Sequence, residues 1–167
     1  MSRNDLASVH ALNVASLPAV SEVSVEGFGW FLEVADCFRL VEIDGELAGF
    51  LLGLRPGRPY DSLNYRWFCE RYRDFFYIDR LAVDDRFRRR GVASALYADI
   101  ERQARALDAP LLACEVNVKP RNEESLAYHA HHGFLEVGRQ DTDAGTKRVA
   151  LMIKTLVADP PSPAVTR

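Results

Sequence analysis

The sequence predicts a single domain of the mixed α/β class, with a central, mostly antiparallel sheet that contains one parallel strand pair and has helices on both faces. Three observations predict this fold. The chain has 167 residues, the length of one domain. Apolar segments of strand length alternate with amphipathic segments of helix length. One strand–helix–strand unit lies between two predicted hairpins, and no internal repeat is visible.

The N-terminal third contains two predicted helices followed by a hairpin. Leu6–Val14 and Glu22–Val34 carry apolar residues at three- and four-residue spacing, which is typical of helices. Phe38–Ile43 and Glu46–Arg55 flank Asp44-Gly45, a dipeptide that favours the positive φ required at both central positions of a tight turn. We expect these two segments to be adjacent antiparallel strands.

A long aromatic connection, Pro56–Asp74, leads into the centre of the chain, and we expect a short helix within it. Two interpretations of its rings stay open: they wall a ligand pocket, or they form a local core or a dimer contact. The rings are Tyr60, Tyr65, Trp67, Phe68 and Tyr72.

The central strand–helix–strand unit predicts the parallel pair. Phe75–Val83 and Leu111–Val118 are apolar segments of strand length. Between them, Asp84–Arg90 is a polar loop and Gly91–Leu107 has the apolar face of an amphipathic helix. A right-handed crossover through this helix makes the two strands parallel.

The C-terminal part predicts one more helix and a last hairpin. Asn122–His131 is a short helix that ends at Gly133, a residue suited to C-terminal capping. Phe134–Arg139 and Lys147–Leu156 form an antiparallel pair. Residues 158–167 contain three prolines and no apolar periodicity, so we predict a disordered tail after a domain that spans residues 1–157.

Composition and charge argue against several classes of protein. The net charge is −3 and the pI is about 5.8, which does not favour nucleic acid as a partner. The apolar runs are too short for a membrane span. The N-terminus has no unbroken apolar segment typical of a signal peptide, so we expect a cytoplasmic protein. Cys37, Cys69 and Cys114 form no close pair, so we expect neither a disulfide framework nor a metal site.

The loop before the central helix is a candidate anion site. Arg88, Arg89 and Arg90 precede Gly91, which lets a ligand approach the backbone, and the small residues that follow leave room beside the first turn. The unpaired N–H groups and the dipole of a helix N-terminus favour a negative ligand such as a diphosphate. The alternative is a solvated arginine-rich loop without a ligand.

This segment resembles motif A of the Gcn5-related N-acetyltransferase (GNAT) superfamily, whose pattern is Gln/Arg-x-x-Gly-x-Gly/Ala. Arg88, Gly91 and Ala93 match the pattern. Residues 122–129, followed by Gly133-Phe134, resemble motif B. The order of elements from Leu6 to Leu156 is also similar, although the superfamily's usual first strand is missing or very short. The resemblance implies a GNAT-like domain in which the parallel pair is splayed.

The resemblance also implies a reaction. It is the transfer of an acetyl or other acyl group from acetyl-CoA to a primary amine of a small molecule or peptide, by direct attack in a ternary complex and without a metal. The implied coenzyme contacts are backbone groups of Leu81, Ala82 and Val83 for the pantetheine arm, the segment Arg88, Arg89, Arg90, Gly91, Val92, Ala93 and Ser94 for the diphosphate, and Asn122 with Ser125 nearby. Asn122 also suits the role of helix N-cap. Whether the protein is a homodimer is left open.

A general acid is the first catalytic group that the resemblance implies. Many members place a tyrosine seven residues after the motif B asparagine, where it protonates the departing thiolate. Here that position is His129, and Tyr128, one residue earlier, points in a different direction because a helix turns about 100° per residue. Histidine can serve as the acid. The alternative is that His129 is part of a polar helix end.

A base is also needed, because an attacking amine must be neutral. Asp79 is our first candidate, since strand alternation predicts that it shares one face with Tyr77 and Leu81. The alternative for Asp79 is a structural ion pair with Arg80. Glu115 on the next strand is the second candidate base. The alternative function is a non-catalytic acyl-CoA-binding or regulatory module.

Overall fold

The computed structural model describes residues 2–156, so the predicted disordered tail, 158–167, lies outside the described residues. The helices are α1 (Leu6–Ala15), α2 (Val25–Val34), α3 (Leu63–Arg71), α4 (Val92–Ala106) and α5 (Glu123–His131). The strands are β1 (Cys37–Ile43), β2 (Glu46–Leu54), β3 (Phe76–Val83), β4 (Leu111–Lys119), β5 (Leu135–Thr142) and β6 (Lys147–Thr155). They form one six-stranded sheet in the order β1-β2-β3-β4-β6-β5.

The predicted elements are confirmed, and two boundaries differ by three residues. The strand predicted over Phe134–Arg139 continues to Thr142, and the second helix starts later than predicted. The second helix begins at Val25 rather than at Glu22, because the Ser24 side chain accepts a hydrogen bond from the Gly27 N–H and caps the helix there. Asp44 and Gly45 have φ values of 54° and 78°, as the hairpin prediction requires. Within residues 2–156, no strand precedes β1, which agrees with the missing first strand.

The predicted parallel pair is confirmed, and it is short. β3 and β4 pair only through Phe76, Tyr77 and Ile78 of β3 opposite Leu112, Ala113 and Cys114 of β4. Every other pairing in the sheet is antiparallel. Beyond Ile78 and Cys114 the two strands diverge, and the gap between them positions the site described below.

Each face of the sheet carries its own apolar core. On one face, α4 and α5 pack over residues that include Phe76, Ile78 and Leu112. On the other face, α1, α2 and α3 pack over a layer rich in aromatic rings, including Phe50 and Tyr77. Both cores exclude water from large apolar side chains, which is the main stabilising contribution to a domain of this size.

Two glycines allow close approaches that a larger residue would prevent. A Cβ atom at Gly53 in β2 would lie 2.9 Å from both Ile100 Cδ1 and Phe76 Cε1. A Cβ atom at Gly138 in β5 would lie 2.9 Å from Cζ2 of Trp67, whose ring crosses this edge strand. The packing of α4 and α3 on the sheet therefore depends on these two positions.

We predict that Gly53→Ala lowers the free energy of unfolding by about 1–3 kcal/mol, because the added methyl group has no space beside Ile100 and Phe76. The matched control is Gly29→Ala in α2, where the new Cβ meets only Leu6 Cδ1 at 3.8 Å. The control should stabilise the protein by up to about 1 kcal/mol, because alanine favours a helix. Urea unfolding of both variants measures the difference, and equal stabilities would contradict this account of the packing.

Candidate active site

A cavity of about 620 Å³ passes through the gap between β3 and β4. Its lining includes Ser94 and His129 on the α4–α5 side of the sheet and Asn64 and Glu115 on the α3 side. A volume of this size suits a small-molecule ligand or cofactor. We call the two ends of this cavity the donor half, on the α4–α5 side, and the acceptor half, on the α3 side.

The donor half has an open strand edge along β3. Past Ile78, residues 79–83 make no ladder bonds to β4, and Leu81, Ala82 and Val83 line the cavity. An extended chain with amide groups, such as a pantetheine arm, can bond to such an edge. The structure thus brings these three predicted residues to the cavity.

The N-terminus of α4 also faces the donor half. Gly91 is the N-cap residue with φ of 81°, a conformation that favours glycine, and it lines the cavity with Val92, Ala93 and Ser94. The first N–H groups of a helix lack partners within the helix and attract negative charge. The predicted anion site therefore has the required backbone geometry.

The three arginines of the basic loop occupy different places. Arg88 lines the cavity, and its guanidinium pairs with Asp85 at 2.8 Å and with Glu124 of α5 at 3.2 Å. Arg89 also lines the cavity and makes no ion pair with any described residue. Arg90 lies over the Phe87 ring at 5.3 Å and is not part of the lining, so of the three only Arg88 and Arg89 lie at the predicted anion site.

The start of α5 brings the predicted motif B residues to the same half. Asn122 is the N-cap, its Oδ1 accepts from the Ser125 N–H at 3.1 Å, and both residues line the cavity. The capping role and a position beside a ligand are therefore compatible. The hydroxyl of Tyr128 is buried within the protein. Burial raises its pKa.

His129 is buried, with 7% of its surface exposed, and both ring nitrogens have partners. Nδ1 lies 2.7 Å from the Ser125 carbonyl oxygen, which can only accept, so Nδ1 carries the proton. Nε2 then accepts from the Tyr97 hydroxyl at 2.5 Å. Burial lowers the pKa of His129, and the hydrogen bond to Ser125 opposes this effect only in part. The imidazole is therefore neutral at pH 7.

A β-bulge in β3 corrects the predicted orientation of Asp79. Leu52 pairs with Arg80 and Gly53 with Ile78, so Asp79 is the extra residue without a partner in β2. Simple alternation fails at this point. Tyr77 packs into the core on the α1–α3 face, whereas Leu81 packs against the core on the α4–α5 face. The prediction that Asp79 shares one face with both residues is wrong because the bulge changes the phase of the strand.

Asp79 forms the ion pair that was the alternative to a catalytic role. Its Oδ2 accepts from Arg80 Nε at 2.7 Å, and both side chains are almost completely buried. Its Oδ1 accepts from the Tyr60 hydroxyl at 2.5 Å. Burial and the charge of Asp79 raise the pKa of Tyr60, so the phenol keeps its proton and donates it to the carboxylate. Both carboxylate oxygens of Asp79 are therefore engaged.

Glu115 is the other candidate base and lies on the same side of the gap. Its Oε2 accepts from the Tyr77 hydroxyl at 2.7 Å, and its Oε1 accepts from Asn64 Nδ2 at 3.0 Å. Gln140 Nε2 donates to Asn64 Oδ1 at 2.8 Å and so fixes the orientation of that amide. Burial, helped by the charge of Asp79, raises the pKa of Glu115 to about 7, although the two hydrogen bonds and Arg80 act in the opposite direction.

The aromatic connection contributes one ring to the cavity. Tyr60 is part of the lining. The other four rings, Tyr65, Trp67, Phe68 and Tyr72, belong to or pack against the core on the α1–α3 face. For these four, a local core is the correct interpretation, and the pocket-wall interpretation is wrong.

Tyr97 is a site residue that the sequence analysis did not identify. Its hydroxyl contacts His129, and the only signal in the sequence was its position on the apolar face of the amphipathic helix.

Within residues 2–156, the side chains and helices can be compared with the requirements of a metal site and of a membrane span. In this range, no three His, Cys, Asp or Glu side chains are grouped so that they could hold a metal ion. None of the helices in this range combines the length and the apolar character that crossing a membrane requires.

The sequence itself matches the family model of the acetyltransferase (GNAT) family over residues 10–134. This match covers most of the chain, and the protein belongs to the GNAT family of acetyltransferases. It is thus an acyltransferase of a family whose general reaction uses acetyl-CoA and whose members act on amines of small molecules or peptides. No curated protein matches the sequence.

Solved structures share the fold at low sequence identity. Ard1 from Thermoplasma volcanium superposes with a TM-score of 0.76 and 21% identity, over 94% of this chain and 95% of that one. Naa20 from Chaetomium thermophilum, in complex with a bisubstrate analogue, superposes with a TM-score of 0.73 and 17% identity, over 93% of this chain and 84% of that one. The ribosomal-protein-S18-alanine N-acetyltransferase from Escherichia coli superposes with a TM-score of 0.69 and 15% identity, over 97% of this chain and 94% of that one. The fold predicted from the sequence is confirmed.

We predict that the contribution of Glu115 to the stability of the protein falls as pH rises from about 4.5 to 7. The folded state holds the Glu115 proton up to about pH 7, whereas the unfolded chain loses it near 4.5. Glu115→Gln removes this effect and should stabilise the protein at pH 8 by on the order of 1–2 kcal/mol, with little change at pH 4. Denaturant unfolding of each variant measures the effect, and Glu70→Gln, which removes an exposed carboxylate of α3, is the matched control. A stabilisation equal at both pH values would contradict the raised pKa.

Proposed function

We propose that this protein transfers an acetyl group from acetyl-CoA to a primary amine, and that its preferred acceptors are α-amines at peptide or protein N-termini. The observation that carries the proposal is the continuous cavity, which joins the N-terminus of α4 to the Glu115 carboxylate through the gap in the sheet. A donor bound along β3 and an acceptor entering from the α3 side would meet in this gap. Direct attack in a ternary complex needs such a meeting point.

The residues assigned to acetyl-CoA in this proposal divide by the part of the coenzyme they would hold. The edge of β3 at residues 81–83 would bond the pantetheine arm. The diphosphate would lie at the first turn of α4, with Arg88 and Arg89 beside it. Asn122 and Ser125 would contact the coenzyme from α5. A backbone N–H of residues 81–83 would hold the tetrahedral oxyanion.

Glu115 is the base in this proposal, in preference to Asp79. Both carboxylates line the cavity, but Asp79 forms an ion pair with Arg80, whereas Glu115 has no ion pair among the described residues and has a pKa near 7. A base with this pKa holds a proton taken from an amine and is still ionised in a substantial fraction of the molecules at pH 7. Asp79 acts through its charge, which contributes to the raised pKa of Glu115.

The pKa of Glu115 also supports an α-amine as the acceptor. An α-ammonium group has a pKa of about 7.7–8.0, so transfer of its proton to Glu115 costs only about 1 kcal/mol. A lysine side chain, with a pKa of about 10.4, would need about 4.6 kcal/mol. One solved structure of the same fold is named as a ribosomal-protein-S18-alanine N-acetyltransferase, and an alanine residue has no side-chain amine. That name is consistent with an α-amine acceptor, although 15% identity establishes the fold alone.

The acid in this proposal is His129, acting together with Tyr97. A protonated Nε2 would donate to the Tyr97 oxygen, and the Tyr97 hydroxyl proton would pass to the departing thiolate. This relay ends with a thiol, a neutral imidazole and an intact phenol, so the protons balance. Because its pKa is lowered, protonated His129 is a stronger acid than a free imidazolium, but a smaller fraction of the molecules carries it.

The buried contacts of His129 also favour a second candidate, a non-catalytic acyl-CoA-binding module. Both ring nitrogens are engaged within the protein, as they are in a structural histidine. Tight binding of acetyl-CoA without coenzyme A release from any amine would support the module. Loss of turnover in both His129→Phe and Tyr97→Phe, with folding and binding intact, would support the relay.

We predict that Gly91→Glu weakens acetyl-CoA binding at least tenfold, because it places a carboxylate beside the expected diphosphate. The matched control is Gly57→Glu, since Gly57 also has positive φ, 88°, and has the same open space around a new Cβ. Calorimetric titration with acetyl-CoA measures both variants and the wild type. Equal binding in Gly91→Glu and Gly57→Glu would refute the donor site.

We predict that a peptide with a free N-terminus is acetylated faster than the same peptide with a blocked N-terminus and one lysine. Glu115→Gln should lower kcat/KM for the first peptide by about 10²–10⁴-fold and remove the rise in kcat/KM centred near pH 7. Coenzyme A release measures both effects. A faster lysine peptide would contradict the acceptor class, and an unchanged pH profile in Glu115→Gln would contradict the base.

A further inference from the structure

Arg80 is a buried charge at the centre of a network between β3 and the N-terminal helices. Only 4% of its surface is exposed. Besides its ion pair with Asp79, its Nη1 donates to Asn13 Oδ1 at 3.1 Å and to the Ser21 carbonyl oxygen at 3.0 Å. Its Nη2 donates to Ser21 Oγ at 3.2 Å. All three nitrogens of the guanidinium therefore have partners.

The bulge at Asp79 explains why Arg80 points to this side of the sheet. The extra residue turns Arg80 toward α1 and α2, where its guanidinium lies 5.8 Å from the centre of the Phe28 ring and 5.7 Å from that of Phe31. The rings exclude water and also favour a cation. The arginine is thus enclosed on the face of the sheet that carries the acceptor half.

Asn13 is the second member of this network and is completely buried at the end of α1. Its Nδ2 donates to the Ser21 carbonyl oxygen at 3.0 Å, while its Oδ1 accepts from Arg80. The carbonyl of Ser21 consequently accepts two hydrogen bonds from buried side chains. This is an unusual concentration of buried donors on a single residue of a connecting segment.

The anchored segment, residues 16–24, connects α1 to α2 and forms a wall of the cavity. Ser16, Pro18, Ala19, Val20 and Ser21 all belong to the lining. A second contact holds the segment from the opposite strand, where Asn117 Nδ2 of β4 donates to the Pro18 carbonyl oxygen at 3.0 Å. The segment thus bridges the gap between β3 and β4 on the acceptor side and is held at both edges.

The chemistry of the anchor indicates a role in geometry. A buried ion pair is often no more stabilising than apolar residues of the same volume, because both charges lose their hydration. Its hydrogen bonds, however, allow only one arrangement of the groups that they join. Here the groups joined are the wall of the acceptor half, through Ser21, and the neighbourhood of Glu115, through Asp79.

We propose that Arg80 is a positioning residue for the acceptor: with Asn13, it holds segment 16–24 against β3 so that the acceptor half has a fixed shape. The inference rests on the proposed function, because it requires that an amine enters this half. Loss of the anchor should raise the KM for the acceptor. Acetyl-CoA binding, which uses the opposite half, should not change.

The test begins with Asn13→Leu, which removes two hydrogen bonds but leaves the Arg80–Asp79 ion pair in place. We expect the acceptor KM to rise about tenfold and the Kd for acetyl-CoA to stay within twofold. Hydrogen exchange should become faster at the backbone amides of residues 16–24. The matched control is Val9→Ala, which truncates a completely buried residue of the same helix without touching the anchor. It should destabilise the protein and leave the acceptor KM unchanged.

A second set of variants tests the arginine itself. Arg80→Lys keeps the charge beside Asp79 but cannot donate to all the anchored groups, so its acceptor KM should lie between those of the wild type and of the double variant Asp79→Asn/Arg80→Met. The double variant avoids an unpaired buried carboxylate. An acceptor KM that stays at the wild-type value in Asn13→Leu and in the double variant overturns the inference alone. An acceptor KM that rises as much in Val9→Ala as in Asn13→Leu also overturns the inference. Absence of turnover in the wild type overturns the proposed function, and the inference with it.

Discussion

The separation of β3 from β4 after three residue pairs is the constraint on which the site depends. If the ladder continued, the backbone groups of residues 79–83 would bond to β4, and the sheet would have no opening. Because the strands separate, these groups face a cavity, and side chains from both faces of the sheet meet in it. The antiparallel pairing of β4 with β6 continues along the whole length of β4 and keeps the diverging strand in place.

The polar residues of the site are distributed unevenly between the two halves. At the first turn of α4, the donor half offers backbone N–H groups, whose ability to donate a hydrogen bond does not depend on pH. The acceptor half relies on buried side chains. Asp79 and Arg80 form an ion pair there, and the charges of both residues affect the pKa of Glu115. This difference follows from the ligands expected there: a diphosphate has a permanent charge, whereas an amine must lose a proton before it reacts.

Most of the fold was predictable from the sequence, because local patterns determine it. The Asp44-Gly45 turn, the amphipathic α4 and the strand–helix–strand unit each had a signal within a few residues. The donor half followed from Gly91 and its neighbours for the same reason. The acceptor half did not. The bulge at Asp79 depends on how β2 and β3 align, and the contacts of Glu115 come from α3 and β3, which lie far away in the chain. Only the folded structure shows that Tyr97 contacts His129.

The small size of Gly138 has a consequence for the centre of the molecule. Trp67 rests on this glycine of the outermost strand, and one helical turn earlier α3 carries Asn64, which bonds to the Glu115 carboxylate. The same strand supplies Gln140, which orients that amide. A substitution at Gly138 or Gln140 on the edge strand would therefore disturb the hydrogen bonds of the Glu115 carboxylate, which lies two strands inward on β4.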